Sequence, residues 1–212
     1  MSDEILKKLE NALVEIQMDE AGDLMNQALE AGITGVDILN KALVPALDRV
    51  GVLFSDGDYF LPDVLMCVNI YNQAFKLIES DLKAGDYEPK GKVMLGTVKG
   101  DTHDIGKNIL SALLQGNGFE VINLGMNVPA ETFLAKAKET EPDIIGMSAL
   151  LTTTMPEMKA TIDLFIKEGL RDKYRFIIGG APVTQDFARQ IGADGYGEEA
   201  QAGVNLVKRL TA

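Results

Sequence analysis

The second half of this chain alternates short apolar runs with stretches of helical periodicity. The run Asp143-Ile144-Ile145-Gly146-Met147-Ser148 is apolar on both faces, as expected for a central strand of a parallel sheet. The predicted strands are residues 93–98, 121–124, 144–148, 175–179 and, more weakly, 194–196. The predicted helices are residues 105–116, 130–140, 156–169, 184–191 and 198–210. Five strands that alternate with helices predict an α/β fold with a doubly wound parallel sheet.

The first eighty or so residues show no strand pattern and predict a bundle of four helices. The four apolar stripes fall at residues 5–16, 24–29, 38–50 and 64–82. Pro45 is expected to kink the third helix locally. Residues 84–91, with the sequence AGDYEPKG, have the composition of a linker. We therefore expect a helical domain at 1–88 and an α/β domain at 89–212, with the linker as a hinge.

Composition narrows the partners and the compartment. The chain has 212 residues and a formal net charge of −12, which argues against a nucleic acid or an anionic membrane as partner, although the acidity can equally serve solubility alone. The single cysteine, Cys67, excludes an internal disulfide and favours the reducing cytoplasm. The acidic start at residues 1–4 is unlike a signal peptide, and no apolar run is long enough to span a membrane.

The only histidine, His103, falls in the loop between the first strand of the predicted sheet and the next helix. Open α/β sheets bind ligands at this edge. Asp101 is placed to accept one ring N–H and to leave the other ring nitrogen free as a ligand or a base. A lone histidine is also commonly a surface or core residue, so the loop by itself leaves both interpretations open. One histidine and one cysteine cannot form a usual zinc site, and neither a Gly-x-Ser-x-Gly elbow nor a P-loop is present.

The segment Val98-Lys99-Gly100-Asp101-Thr102-His103-Asp104-Ile105-Gly106-Lys107-Asn108 resembles the Asp-x-His-x-x-Gly signature of the cobalamin-binding fold. That fold occurs in methionine synthases, corrinoid methyltransferase proteins and B12-dependent mutases. The resemblance covers essentially the whole chain, as a helical cap followed by a flavodoxin-like, Rossmann-like domain. It implies a bound cobalamin or related corrinoid, such as methylcobalamin, with its benzimidazole displaced and His103 as the lower cobalt ligand. It also implies a relay through Asp101 to the Thr154 hydroxyl, where methionine synthases have serine.

The same resemblance implies further contacts with the cofactor and its nucleotide tail. The implied residues are Gly100, Asp101, Thr102, His103, Asp104, Ile105, Gly106, Ser148, Leu150, Thr152, Gly179, Gly180, Tyr196, Gly197 and Ala200. Residues 50–64 resemble the cap motif that covers the upper cobalt face, which implies that Phe54, Leu61 and Val64 shield a cobalt-bound methyl group. Phe54 is expected in a loop, where a lid residue fits better than a core residue. Periodicity alone is equally consistent with an ordinary bundle core.

The resemblance implies a methyl shuttle that cycles between methyl-cobalt(III) and cobalt(I). A substrate-specific methyltransferase would supply the methyl group from a methylamine, betaine, methanol or a methoxylated aromatic. A second methyltransferase would pass it to tetrahydrofolate, tetrahydromethanopterin or coenzyme M, and a reductive activation protein is also implied. The chain alone would not complete turnover. The alternative is the cobalamin-binding subunit of an adenosylcobalamin-dependent mutase, although such subunits usually lack this cap. A B12-dependent regulator would need a basic DNA-binding face.

Overall fold

The structure is a computed structural model that describes residues 2–84 and 89–211. Its contacts divide the chain into two compact units. The helical unit lies within Met1–Glu88 and includes Gly116–Gly118, and the α/β unit lies within Pro89–Gln115 and Phe119–Ala212. Half of the predicted hinge at 84–91, residues 85–88, lies outside the described residues.

The helical unit is built from segments that bury one apolar face each. They are α1 (Ser2–Val14), α2 (Met18–Glu30), α3 (Gly35–Ile38), a π-helical turn (Leu39–Leu43), α4 (Val44–Ser55) and α5 (Leu61–Ala84). The third predicted helix is thus divided into α3, the π turn and α4. Proline lacks an N–H, and its ring would clash with the carbonyl four residues earlier. A wider turn directly before Pro45 avoids both problems, because its hydrogen bonds reach back five residues.

The α/β unit follows the predicted alternation closely. Its elements are β1 (Lys92–Thr97), α6 (Ile105–Gly116), β2 (Glu120–Asn123), α7 (Ala130–Thr140), β3 (Ile144–Ser148), α8 (Pro156–Lys167), a 3₁₀ turn (Arg171–Lys173), β4 (Arg175–Gly179), α9 (Gln185–Ile191), β5 (Gly195–Gly197) and α10 (Ala200–Thr211). The strands form one parallel sheet in the order β2-β1-β3-β4-β5. This order confirms the predicted doubly wound sheet.

The strand order places a topological switch point between β1 and β3. Chain connections leave these two strands in opposite directions, so their carboxyl ends flank a crevice in which α/β proteins bind ligands. The last paired residues of the two strands are Thr97 and Ser148. Val98 was predicted to be the last residue of β1. Instead, β1 ends at Thr97, and Val98 forms an isolated parallel bridge with Val128. The loop after β1 and the loop after β3 therefore begin side by side.

The core of the α/β unit fixes the sheet from which these loops project. Phe165 of α8 packs edge-on against Tyr174 and Phe176, with ring centroids 5.6 and 5.0 Å away. Phe133 of α7 is fully buried in the same cluster.

Within residues 2–84 and 89–211, no helix combines the length and the apolar character that a membrane crossing requires.

Candidate functional site

The carboxylate of Asp101 is the centre of the crevice between β1 and β3. Its Oδ1 accepts the backbone N–H of His103 at 3.0 Å and lies 2.8 Å from His103 Nδ1. Its Oδ2 accepts the backbone N–H of Leu150 at 2.8 Å and that of Leu151 at 3.3 Å, together with the Thr154 hydroxyl at 2.8 Å. The side chain is 0% exposed. One buried carboxylate thus joins the loops that follow β1 and β3.

The hydrogen bonds determine the charge of this carboxylate. Burial acts to raise the pKa of Asp101, because it disfavours the charged form. The donors from His103, Leu150 and Thr154 outweigh burial and hold the pKa of Asp101 well below its ordinary value. Asp101 is therefore an ionised acceptor at neutral pH.

The ring of His103 is held at one nitrogen and open at the other. An ionised Asp101 can only accept, so Nδ1 carries the proton of the 2.8 Å hydrogen bond, and in the neutral ring Nε2 has the lone pair. The side chain is 48% exposed, which leaves the ring accessible from outside the protein. The Thr97 hydroxyl donates to the His103 carbonyl at 3.0 Å and fixes the backbone beneath the ring. In the neutral ring, this arrangement leaves Nε2 able to serve as a ligand to a metal outside the loop.

Thr154 has two acceptors for its single hydroxyl proton. Its Oγ1 lies 2.8 Å from Asp101 Oδ2 and 2.9 Å from the Leu151 carbonyl. The hydroxyl can donate to only one of them at a time, so its proton can turn toward or away from the carboxylate. The structure thus brings together His103, Asp101 and Thr154, the three members of the predicted relay.

Asn127, which the sequence analysis missed, supports the loop after β1, and Lys107, whose burial was not predicted, joins α6 to the end of β2. The Asn127 backbone N–H donates to the Asp101 carbonyl at 2.9 Å, and Asn127 Oδ1 accepts the Gly100 N–H at 2.7 Å. Lys107 is buried and its Nζ donates to Asn108 Oδ1 and Asn123 Oδ1, both at 2.7 Å. Burial lowers the pKa of Lys107, and Asp104 partly opposes this effect. The only sequence signal for Asn127 is an asparagine before Val-Pro, since asparagine tolerates left-handed backbone.

The predicted residues on the later strands lie at the same edge of the sheet. They are Ser148 at the end of β3, Leu150 and Thr152 in the following loop, Gly179 and Gly180 at the end of β4, Tyr196 and Gly197 at the end of β5, and Ala200 at the start of α10. A Cβ at Gly180 would collide with the Ala149 carbonyl, and one at Gly197 would lie 3.0 Å from Gly203 Cα. These two glycines therefore permit close packing of the protein on itself, and their expected contact with a ligand stays a prediction.

The predicted lid residues lie in the helical unit and differ in exposure. Phe54 lies within α4, which continues through Ser55, so the expectation of a loop there is wrong. Gly51 is buried inside α4, and packing overrides its weak helix propensity. Phe54 and Leu61 are half-buried, whereas Val64 is fully buried. The neighbouring Phe60 is largely exposed and was not predicted.

Comparison with known proteins gives matches over both units. Sequence models described as B12 binding domain match residues 5–79 and 91–205. The dimethylamine corrinoid protein 3 of Methanosarcina acetivorans is 41% identical over 206 residues, which are 97% of this chain and 96% of that protein. The trimethylamine corrinoid protein of Methanosarcina barkeri is 39% identical over 208 residues, 97% of this chain and 96% of that protein.

Two solved structures are similar over nearly the whole chain. A cobalamin-binding protein from Desulfitobacterium hafniense has a TM-score of 0.82 and 31% identity, with 97% of this chain and 98% of that chain covered. The methanol:cobalamin methyltransferase complex MtaBC from Methanosarcina barkeri has a TM-score of 0.86 and 34% identity, with 99% of this chain and 80% of that chain covered.

The residues around His103 fit a corrinoid. A corrinoid offers cobalt at the centre of a broad, largely apolar ring, so it needs one outward-facing nitrogen surrounded by apolar surface. The exposed apolar residues on the loops tied to Asp101 are Ile105, Met126, Leu150 and Leu151. A Cβ at Gly106, in the first turn of α6, would meet nothing within 4 Å, so the space at that position is open. Among the described residues, no group of three or more His, Cys, Asp or Glu side chains is arranged to hold a metal ion.

Proposed function

This chain belongs to the B12-binding domain family, as a corrinoid protein, and from that premise we propose that it carries a methyl group on a bound corrinoid between two methyltransferases. When bound, the corrinoid supplies a cobalt centre that can accept a methyl group and release it. The observation that supports the proposal most directly is the hydrogen-bonded Asp101, which leaves His103 Nε2 free at the crevice between β1 and β3.

In this proposal His103 binds the lower face of the corrinoid through Nε2. Asp101 holds a proton on Nδ1, so Nε2 is the nitrogen that carries the lone pair in the neutral ring, and the position of Asp101 is fixed by the N–H groups of Leu150 and Leu151. Thr154 donates to the far oxygen of the same carboxylate, and its hydroxyl can turn to the Leu151 carbonyl instead. Rotation of that proton would change how strongly Asp101 attracts the Nδ1 proton, and therefore the basicity of Nε2.

The other predicted contacts are part of the same proposal. The exposed loop residues Leu150 and Thr152 would lie against the corrinoid or its nucleotide tail, as would residues at the ends of β4 and β5. Phe54, Leu61 and Val64 would shield the upper face, which is supported by the second B12-binding match over residues 5–79. We further propose a cytoplasmic location, since the chain has a single cysteine.

The proposed partners follow from the names of the relatives. The first is a methyltransferase that takes a methyl group from a small donor, because the relatives are named for dimethylamine and trimethylamine and one similar structure is a complex with a methanol methyltransferase. The second methyltransferase and a reductive activation protein are required by the shuttle itself.

The ligand assignment can be tested with an isotope, because His103 is the only histidine in the chain. The protein is produced with ¹⁵N-histidine, loaded with methylcobalamin and converted to the cobalt(II) form for electron paramagnetic resonance. We expect each cobalt line to split into two, because ¹⁵N has spin one-half, whereas an unlabelled benzimidazole nitrogen would give three. Unlabelled protein should give three lines, His103→Ala should lose the histidine splitting, and Arg189→Ala, on exposed α9, should retain it. A three-line pattern in the labelled protein would overturn the assignment.

Methyl transfer is tested separately. The loaded protein is mixed with purified methyltransferases specific for dimethylamine, trimethylamine or methanol and with the corresponding donor. We expect methylation of the corrinoid with at least one pair and a rate lowered at least about tenfold in His103→Ala. Failure with all three pairs would contradict the proposed class of donor.

A further inference from the structure

Asn127 adopts a backbone conformation that few side chains tolerate. It lies in the connection between β2 and α7, with a φ of +52°. Left-handed backbone is costly for most L-residues, and asparagine is among those that accept it. Residues with such strained backbone are concentrated at functional sites, and Asn127 lies next to the candidate site.

The conformation accompanies two hydrogen bonds to consecutive residues of the histidine loop. The Asn127 backbone N–H donates to the Asp101 carbonyl at 2.9 Å. The Asn127 side chain accepts the N–H of Gly100 at 2.7 Å through Oδ1. Gly100 itself has a φ of +80°, so both partners lie in the left-handed region. One residue therefore holds the backbone on both sides of the Gly100–Asp101 peptide bond.

The segment that holds Asn127 is itself attached to β1. The Leu124 N–H donates to the Leu95 carbonyl at 2.8 Å, and the Thr97 N–H donates to the Gly125 carbonyl at 3.0 Å. The Val128 N–H then donates to the Thr97 carbonyl at 2.9 Å. These bonds continue the pairing with β1 beyond the end of β2. Asn127 thus contacts the histidine loop from a segment that is fixed to the sheet.

Asp101 is consequently held from two directions. The loop after β3 donates to its carboxylate, and Asn127 binds its backbone and that of Gly100. A carboxylate held only by its own hydrogen bonds could move with the loop that carries it. With the backbone fixed as well, Oδ1 keeps its 2.8 Å distance from His103 Nδ1.

We propose that Asn127 is a positioning residue, which sets the backbone of Gly100 and Asp101 so that the carboxylate holds the proton on His103 Nδ1 and leaves Nε2 as the ligand atom. The importance of this role for cofactor binding rests on the proposed function. The effect on the histidine ring does not, because it exists in the protein without corrinoid.

The test uses ¹⁵N nuclear magnetic resonance of the histidine ring in the corrinoid-free protein, at about pH 9, where ordinary imidazoles are neutral. The single histidine makes the assignment unambiguous. Asn127→Gly keeps the left-handed backbone and removes Oδ1, whereas Asn127→Asp keeps both an acceptor oxygen and tolerance of the conformation. Glu141→Gly is the matched control, because Glu141 also has a positive φ, of +46°, at the end of α7.

We expect the ratio of Nδ1–H to Nε2–H tautomer to fall about fivefold in Asn127→Gly, the change that loss of one ordinary hydrogen bond produces. Asn127→Asp and Glu141→Gly should keep the ratio of the unmodified protein. An unchanged ratio in Asn127→Gly would overturn the proposal, and so would a loss of the Nδ1–H tautomer in Asn127→Asp.

A measurement on the unmodified protein covers the case in which Asn127→Gly does not fold. The Gly100 amide should exchange with solvent at least about tenfold more slowly than a free amide, because Asn127 Oδ1 accepts its hydrogen. Exchange at the free rate would overturn the proposal. Loading each variant with methylcobalamin separates the two hypotheses, because absence of histidine ligation in the unmodified protein contradicts the proposed function, whereas the tautomer ratio decides the role of Asn127.

Discussion

One aspartate at the amino ends of the parallel strands and one at their carboxyl ends each accept a backbone N–H. The surroundings of these two carboxylates differ. Asp194, before β5, accepts the Phe176 N–H at 2.6 Å and an Arg171 N–H at 2.9 Å, and Arg175 lies 3.7 Å away. Its side chain is 18% exposed. Asp101, after β1, is fully buried and has no arginine or lysine among its hydrogen-bond donors within the described residues.

This difference shows how one residue type can serve structure at one end of a sheet and build a site at the other. Arginines neutralise Asp194, so its charge is already compensated within the protein. The charge of Asp101 is held by N–H and O–H groups alone, and the most exposed of these donors is the His103 ring. A change in charge on the outer side of that ring therefore alters the electrostatic environment of the Asp101 carboxylate. Such coupling suits a ligand that binds at the ring and changes its charge there.

The largest difference between the two aspartates is expected when each carboxylate is removed in turn. Asp101→Ala leaves buried donors from Leu150 and Thr154 without their acceptor, so we expect the free energy of unfolding to fall by about 3 kcal/mol. Methylcobalamin affinity should fall about 10–100-fold, because His103 loses the partner that orients its ring. Chemical denaturation and a binding titration measure the two effects.

Asp194→Ala is the matched variant at the other end of the sheet. It should lower the free energy of unfolding by about 1–2 kcal/mol, since the freed groups of Arg171 and Phe176 are nearer to water. Its affinity for methylcobalamin should remain that of the unmodified protein. Equal losses of affinity in the two variants would mean that the effect of Asp101 is general destabilisation.

The next prediction concerns the contribution of Asp101 to stability at low pH. The pKa of Asp101 is lowered in the folded protein, so folding favours its ionised form. Its contribution is fully present above the ordinary aspartate pKa of about 3.9 and is lost as the pH falls from there toward the lower folded pKa. We expect the free energy of unfolding to decrease below about pH 5 less steeply in Asp101→Asn than in the unmodified protein. Equal slopes in urea titrations between about pH 6 and 3 would contradict this.

The third prediction concerns the hydroxyl that reaches Asp101. Thr154→Val removes the donor to Oδ2 and preserves the shape of the side chain, so we expect affinity for methylcobalamin to fall about tenfold. Thr154→Ser should restore it. Thr140→Val is the control near the amino ends of the strands, where the hydroxyl donates only to its own helix, at the Lys136 carbonyl. A loss in Thr154→Ser equal to that in Thr154→Val would show that the methyl group, and not the hydroxyl, is needed.

The sequence predicted the residues at the carboxyl edge of the sheet better than the residues that hold that edge in place. The strands were predictable because buried parallel strands are continuous apolar runs. His103 and Asp101 were predictable because they lie two positions apart in one loop. Thr154 is 53 residues from Asp101 and followed only from the family resemblance. Asn127 could not be predicted, because its role depends on a left-handed backbone and on β2 lying beside β1, neither of which leaves a periodic pattern. Lys107 lies in the segment that carries the resemblance, but its burial and its bonds to Asn108 and Asn123 could not be predicted from helical periodicity.

The smallest effect should come from two glycines with nearly the same backbone. Gly100 has a φ of +80° beside Asp101, and Gly192 has a φ of +78° at the end of α9, near Asp194. Alanine at either position should lower the free energy of unfolding by about 1 kcal/mol, because both require left-handed backbone. A Cβ at Gly192 would meet nothing within 4 Å, whereas one at Gly100 would lie 3.6 Å from the Thr154 Cγ2, which is ordinary contact. Because steric space permits both substitutions, a severalfold loss of methylcobalamin affinity confined to Gly100→Ala would show that the backbone conformation of the histidine loop matters beyond stability. Equal affinities in the two variants would mean that the loop adapts to the strain, and that the carboxylate's own hydrogen bonds suffice to hold His103.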